Sequence, residues 1–201
     1  HNYYHNIYYN SVKVLDSHAL YTQSGNSNNI LINNILLTES TSSTAAYIYN
    51  TSVFTSSDYN DFSTSYTYPI YYSGNKTLAQ WQAYGQDSSS VSIDPVYDTD
   101  STLVPLALAL DNKGTPITSI ADDINGTNRS ETTPDMGAIE FSVSGTPLSG
   151  SYTVGTGGDF ASISSVGVPL MTLGITGPVT FNIQAGTYDD PVTLGQVYGA
   201  S

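Results

Sequence analysis

Apolar residues in the first third of the chain fall in short runs, each bounded by Ser, Asn or Gly. Ile7-Tyr8-Tyr9-Asn10-Ser11-Val12 recurs as Ile30-Leu31-Ile32-Asn33-Asn34-Ile35, with a weaker echo at Phe54-Thr55-Ser56-Ser57-Asp58-Tyr59. Aligned on Asn10, Asn33 and Ser57, the copies lie 23 and 24 residues apart. A repeat of that length is one supersecondary unit that cannot bury its apolar face alone, so it must stack on neighbours. Short strands are predicted within Asn6 to Val14, Asn28 to Leu37 and Ala45 to Phe54.

These strands suit a right-handed parallel β-helix, an all-β solenoid in which inward side chains stack rung upon rung. Asn10, Asn33 and Ser57 are the candidate bend residues, because Asn tolerates the left-handed conformation and can bond to its equivalent one rung away. An antiparallel sandwich is the alternative, but two-residue hairpin signals such as Asn-Gly are missing between these strands.

The repeat fades after residue 62. Thr77 to Tyr84 predicts a short helix, capped by Thr77 or Asn75 and stopped by Gly85. Trp81, the single tryptophan, shares a face with Leu78, as a plug over apolar surface or as a platform for a sugar ring. Leu103 to Leu108 reads as a buried rung or a short helix. Residues 143–150 have linker composition. Beyond them Ile163, Val166, Leu170 and Leu173 predict an amphipathic helix near 161–174, opened by Asp159 or Ser162 and shortened or kinked by the Pro169 inside it. Val179, Phe181 and Ile183 alternate on one face of a strand, and Val192-Thr193-Leu194 predicts another.

Composition sharpens this. Charged residues are 10% of the 201, and there are 17 Tyr and no Cys. Tyr and Thr favour half-buried pleated surfaces, while the many Tyr, Ile, Leu and Val argue against disorder. Disulfides and thiolate metal sites are excluded. A net charge of −13 disfavours nucleic acid and anionic membranes as partners. Calcium or a weakly charged polysaccharide fits better. No apolar run reaches transmembrane length, so membrane insertion is not expected. The chain starts at His1 without Met or signal peptide, which reads as a mature piece or a window on something longer.

Candidate chemistry is sparse. Asp94, Asp98 and Asp100 could supply clustered oxygens to calcium, although the Gly spacing of a recognised calcium loop is missing. His1 and His5 would project to one side of a strand, a weak metal pair at best. Tyr8, Tyr49 and Trp81 are the candidate sugar-stacking residues, and the many other tyrosines more readily stack on each other. A lyase needs a cation at the enolate and a glycosidase two carboxylates across a cleft. Lys13, Lys76, Lys113 and Arg129 lie in no acid-rich motif. Asp58 and Asp61 could flank a groove but read more simply as a bend.

Two stretches carry a resemblance. Ser57-Asp58-Tyr59-Asn60-Asp61-Phe62, Leu78-Ala79-Gln80-Trp81-Gln82, Gly85-Gln86-Asp87-Ser88, Asp94-Pro95-Val96-Tyr97 and Pro134-Asp135-Met136-Gly137-Ala138-Ile139-Glu140 resemble the closing section of parallel β-helix repeat domains in large secreted Bacteroidetes surface proteins. Gly150-Ser151-Tyr152-Thr153-Val154-Gly155, Gly158-Asp159-Phe160, Gly177-Pro178-Val179-Thr180-Phe181 and Gly186-Thr187-Tyr188 resemble the opening of the same kind of domain. Gly167 and Pro169 depart from the unbroken helix expected there. The resemblance implies residues 1–142 as the last coils and closing cap of one β-helix, 143–150 as a linker, and 151–201 as the cap and first coil of the next. It further implies an extracellular, type IX exported adhesin or filament without catalysis, whose partners are neighbouring repeats or subunits. The alternatives are a carbohydrate-binding module and a polysaccharide lyase or glycosidase.

Overall fold

The computed structural model describes residues 4–25, 27–189 and 191–200. Among the described residues the regular structure is mostly sheet, with two short α-helices. The chain divides into two compact units, residues 1–105 with 110–141 and residues 106–109 with 142–201.

In the first unit the chain makes three successive passes, each with three short strands. They are β1 (Asn6–Tyr8), β2 (Ser11–Val14) and β3 (Leu20–Tyr21); β4 (Asn29–Ile32), β5 (Ile35–Thr38) and β6 (Ala46–Tyr47); and β7 (Phe54–Asp58), β8 (Asp61–Thr64) and β9 (Ile70–Tyr71). Strands at the same place in successive passes pair side by side, in the orders β1-β4-β7, β2-β5-β8 and β3-β6-β9. All these pairs are parallel. The antiparallel alternative is thereby overturned: parallel strands need a long return path, which one pass supplies.

Register sets the interior. Val12, Leu36 and Phe62 stack in line, as do Ile7 and Leu31 and Leu20, Ala46 and Ile70. These residues form one hydrophobic core with Ile48, Val53, Phe54 and Trp81.

The third pass is closed by β10 (Asn75–Lys76), antiparallel to β9, and by α1 (Leu78–Gln82). Thr77 caps α1 reciprocally with Gln80, whose side chain reaches back to the Thr77 N–H, satisfying two end donors at once. Gly85, at φ +79°, carries the chain out of the helix.

Residues 91–105 and 110–141 are mostly irregular and lie on the outward side of β2-β5-β8. Ile93 donates to Asp61, Gly137 to the Asn33 carbonyl and Ala138 to Ser11. Gly137 sits so close that an added Cβ would meet Ser11 Oγ at 2.6 Å and Ile35 Cδ1 at 2.9 Å. Leu103 to Ala107 is irregular, with one short 3-10 turn at Leu108–Leu110.

The second unit holds β11 (Leu148–Val154), α2 (Ser164–Leu173) and β12 (Ile175–Ile183), with β11 and β12 parallel. The last three residues of the stretch of linker composition belong to β11. The N-cap of α2 is Ile163, without a side-chain cap bond, which corrects the expected opening at Asp159 or Ser162; Ser162 Oγ accepts from the Ser165 N–H at 3.3 Å from just before the helix. Pro169 lies within α2. Val154, Val166, Leu170 and Leu148 are its buried core, ringed by Tyr152, Phe160 and Phe181.

Candidate functional site

Two ladders run across the three passes. The first is of asparagine. Asn34 Oδ1 accepts from the N–H and Nδ2 of Asn10, at 3.0 and 2.9 Å. Asn60 Oδ1 does the same for Asn34, again at 3.0 and 2.9 Å. The left-handed residue before each rung, Tyr9, Asn33 or Tyr59, has φ of 53–61° and swings the chain from one sheet to the next. The expected bend set is corrected in part: Asn33 does take the left-handed bend, but its equivalents there are Tyr9 and Tyr59, whereas Asn10 belongs to the ladder with Asn34 and Asn60 and Ser57 to neither. Asn33 also holds the outer segment, accepting from the Thr115 N–H and donating to its carbonyl.

The ladder ends on Asp87, which is 1% exposed. Its carboxylate accepts from Ser57 Oγ, Trp81 Nε1, Ser90 Oγ and Asn60 Nδ2, at 2.7–3.1 Å. Burial pushes this carboxyl up and the four donors pull it back. Trp81 is fully buried, against Tyr72 and Tyr84. Its expected role in stacking on sugar is therefore corrected: both ring faces are covered, and the indole N–H is spent on Asp87.

The second ladder is of tyrosine. Tyr21, Tyr47 and Tyr71 stack with centroids 4.6 and 4.5 Å apart and planes within 20° and 8°. Their side chains alternate with the inward Leu20, Ala46 and Ile70, so they line the outside. His18 lies against Tyr21 and Tyr47, its Nδ1 2.9 Å from the Thr44 carbonyl oxygen. Of the other sugar candidates, Tyr49 is 54% exposed and Tyr8 is half-buried in β1. His1, of the proposed histidine pair, lies outside the described residues, and His5 is exposed.

The three aspartates do not converge as a calcium site. Asp94 accepts from the Val96 N–H. Asp98 Oδ1 accepts from Thr99, Thr102 and Val104, and the Thr102 hydroxyl leads in holding this carboxyl below its ordinary range. Asp100 pairs with Lys13 at 2.6 Å, as does Glu39. Local turn donors thus claim Asp94 and Asp98, and a cation claims Asp100. Among the described residues no three His, Asp or Glu side chains gather in a metal-binding arrangement.

Other acids knot the outer segment. Asp123 accepts from Asn125, Thr127 and Glu140 N–H groups. Burial opposes this ionised form, but the three bonds outweigh it and lower the carboxyl. Asp135 accepts from Asn112 and Phe141, and burial raises it to about 7. Arg129 reaches Glu140 at 3.4 Å and lies 3.8 Å over the Tyr9 ring. Beside it is a cavity of about 450 Å³, also lined by Ile117, Ile120, Asn128 and Glu131. Asp61 is fully buried, with Oδ1 on the Ile93 N–H and Oδ2 without a hydrogen-bond partner among the described residues, and burial pushes it well above the usual carboxylate range.

Sequence reasoning missed Tyr21, Asn34, Asp87 and Arg129. The signal for Tyr21 was present, because Tyr21, Tyr47 and Tyr71 are 26 and 24 residues apart. For Asp87 and Arg129, within irregular backbone, no periodic signal exists.

Among the described residues no helix is long and apolar enough to cross a membrane. No family model matches the chain, and no curated protein or solved structure is significantly similar to it.

Proposed function

We propose that the chain is a structural segment of a right-handed parallel β-helix in a large extracellular adhesin or surface filament, acting in attachment or assembly and not in catalysis. The observation that carries this reading is the pair of ladders, Asn10-Asn34-Asn60 and Tyr21-Tyr47-Tyr71, repeating at 24–26 residues along parallel strands. Such ladders tie rung to rung and serve a scaffold that grows by repetition.

The acids support the same reading. Asp87, Asp123 and Asp135 are occupied by donors of their own fold, whereas a glycosidase would present two carboxylates to a cleft. Export and surface location rest on the resemblance, with which the absence of Cys is compatible.

A carbohydrate-binding role is the second reading. It is favoured by Tyr49, 54% exposed, and by the outward tyrosine ladder, whose ring edges flank the exposed face.

The test is a panel of neutral and acidic polysaccharides, assayed for chain cleavage and for retention. The structural reading predicts no shortening of any polymer. Depolymerisation abolished by replacing a single carboxylate would overturn it. Retention lost on Tyr49→Ala would transfer support to the second reading.

A further inference from the structure

The segment that closes the third pass carries a cavity that the scaffold role does not use. It measures about 330 Å³ and is lined by Asn75, Lys76, Gln80, Ala83 and Tyr84. These residues come from β10, from α1 and from the turn just after it. The size lies within the roughly 300–1,000 Å³ of small-molecule sites.

The wall of the cavity is fixed from beneath. Trp81 is fully buried and bonded to Asp87, and the reciprocal cap of Thr77 and Gln80 closes the start of α1. Tyr84 meets Tyr72 edge to face, with centroids 5.0 Å apart, and its N–H donates to the Trp81 carbonyl at 2.9 Å. The ring is thus held, yet Tyr84 stays 50% exposed. A flat apolar surface can settle on such a ring at little cost in side-chain entropy.

Three polar side chains around the ring each keep a group unspent among the described residues. Gln80 accepts from the Thr77 N–H through Oε1, which leaves the two N–H groups of Nε2. Asn75 donates to the Tyr66 hydroxyl through Nδ2, which leaves Oδ1. Lys76 Nζ reaches the Ser73 and Gly74 carbonyls at 3.5 and 3.3 Å, which leaves the third of its N–H groups.

We propose that this cavity binds a neutral pyranose unit, with the C–H face of the sugar on Tyr84 and its hydroxyls on Asn75, Lys76 and Gln80. A sugar hydroxyl both donates and accepts, which matches amide N–H, ammonium N–H and amide oxygen side by side. No carboxylate lines the cavity, so it offers a cation nothing to pair with. An anion would find one ammonium, already shared with two carbonyls, on a chain of net charge −13, which repels it. The site lies apart from Tyr49 and deepens the carbohydrate reading above, on which it rests.

Trp81 reports on the site, because its ring centroid lies 6.3 Å from that of Tyr84 and it is the single tryptophan. The neutral probes are maltohexaose, cellohexaose and mannohexaose, and the acidic probe is trigalacturonate. At least one neutral oligomer is expected to shift Trp81 emission saturably and to move the side-chain amide resonances of Gln80. Tyr84→Ala should weaken that binding about tenfold. Gln80→Glu keeps an oxygen for the Thr77 cap while removing the Nε2 donors, and should weaken it severalfold. Urea midpoints check that both variants are folded, and Gln80→Glu carries the test should Tyr84→Ala lose stability. No response to any neutral oligomer, an undiminished response in Gln80→Glu, or a response to trigalacturonate alone would overturn the proposal. A response lost in Tyr49→Ala but kept in Tyr84→Ala would sink this site and leave the carbohydrate reading standing.

Discussion

The Nε1 of Trp81 donates to Oδ2 of Asp87 at 2.7 Å, and both residues are buried. One bond thus joins the apolar plug of the third pass to the end of the asparagine ladder. Asp87→Ala would leave Ser57, Asn60, Trp81 and Ser90 without their acceptor. We predict a loss of about 3–5 kcal/mol of unfolding free energy, since each buried donor left without an acceptor costs roughly 1–3 kcal/mol. Urea titration followed by tryptophan emission measures it.

Asn34 sits mid-ladder, giving two bonds to Asn60 and taking two from Asn10. Asn34→Ala should cost about 2–4 kcal/mol, because buried main-chain groups on two rungs lose partners. Asn10→Ala, at the exposed end, should cost about 1 kcal/mol. Equal losses in paired denaturation curves would mean that the ladder is not cooperative.

How much of this was legible in the chain depends on whether the backbone is periodic. The stacking need, the helix carrying Val166, Leu170 and Leu173 and the alternating Val179, Phe181 and Ile183 follow from apolar spacing, and the Thr77 cap follows from its hydroxyl just before the helix. The register did not. Aligning Asn10 with Asn33 places the ladder one residue early, because the left-handed position accepts Tyr9 in one pass and Asn33 in the next. In the third pass a shift between the Asn29–Phe54 and Ile30–Ser56 pairs moves the ladder residue on to Asn60. The burial of Asp61 under residues 91–97 depends on irregular chain, where no period reports which side is covered.

The pH dependence should tilt toward acid. Asp135 is raised to about 7 by burial, so the folded chain holds a proton that the unfolded chain releases near pH 4. Its contribution is fully present below pH ~4 and is lost as pH rises through 7. Asp61 and Asp87 are raised and act in the same direction. Asp98, Asp123 and Asp159 are lowered, and their contribution is lost as pH falls below about 4. Thermal melts from pH 5 to 8 should show falling stability, with the slope reduced in Asp135→Asn. A rising melting temperature over that range would refute the assignment.

The tyrosine ladder should add stability where single exposed tyrosines do not. Tyr47 stacks on both Tyr21 and Tyr71. Tyr47→Ala should cost about 1–3 kcal/mol, since each aromatic pair contributes roughly 0.5–1.5 kcal/mol beyond area. Tyr49→Ala should stay within about 0.5 kcal/mol. Chemical denaturation of both variants makes the comparison.

The central claim is that the three passes hold one another up as a single stack. Native-state hydrogen exchange tests it most directly, through the amides of Ile30, Ile35, Ala46, Asp61 and Phe62, which bond between passes or to the closing segment. The account predicts that these exchange together, through one shared opening, and that Asn34→Ala accelerates them all. Separate opening energies for each pass, with the Asn34→Ala effect confined to its own rung, would contradict it.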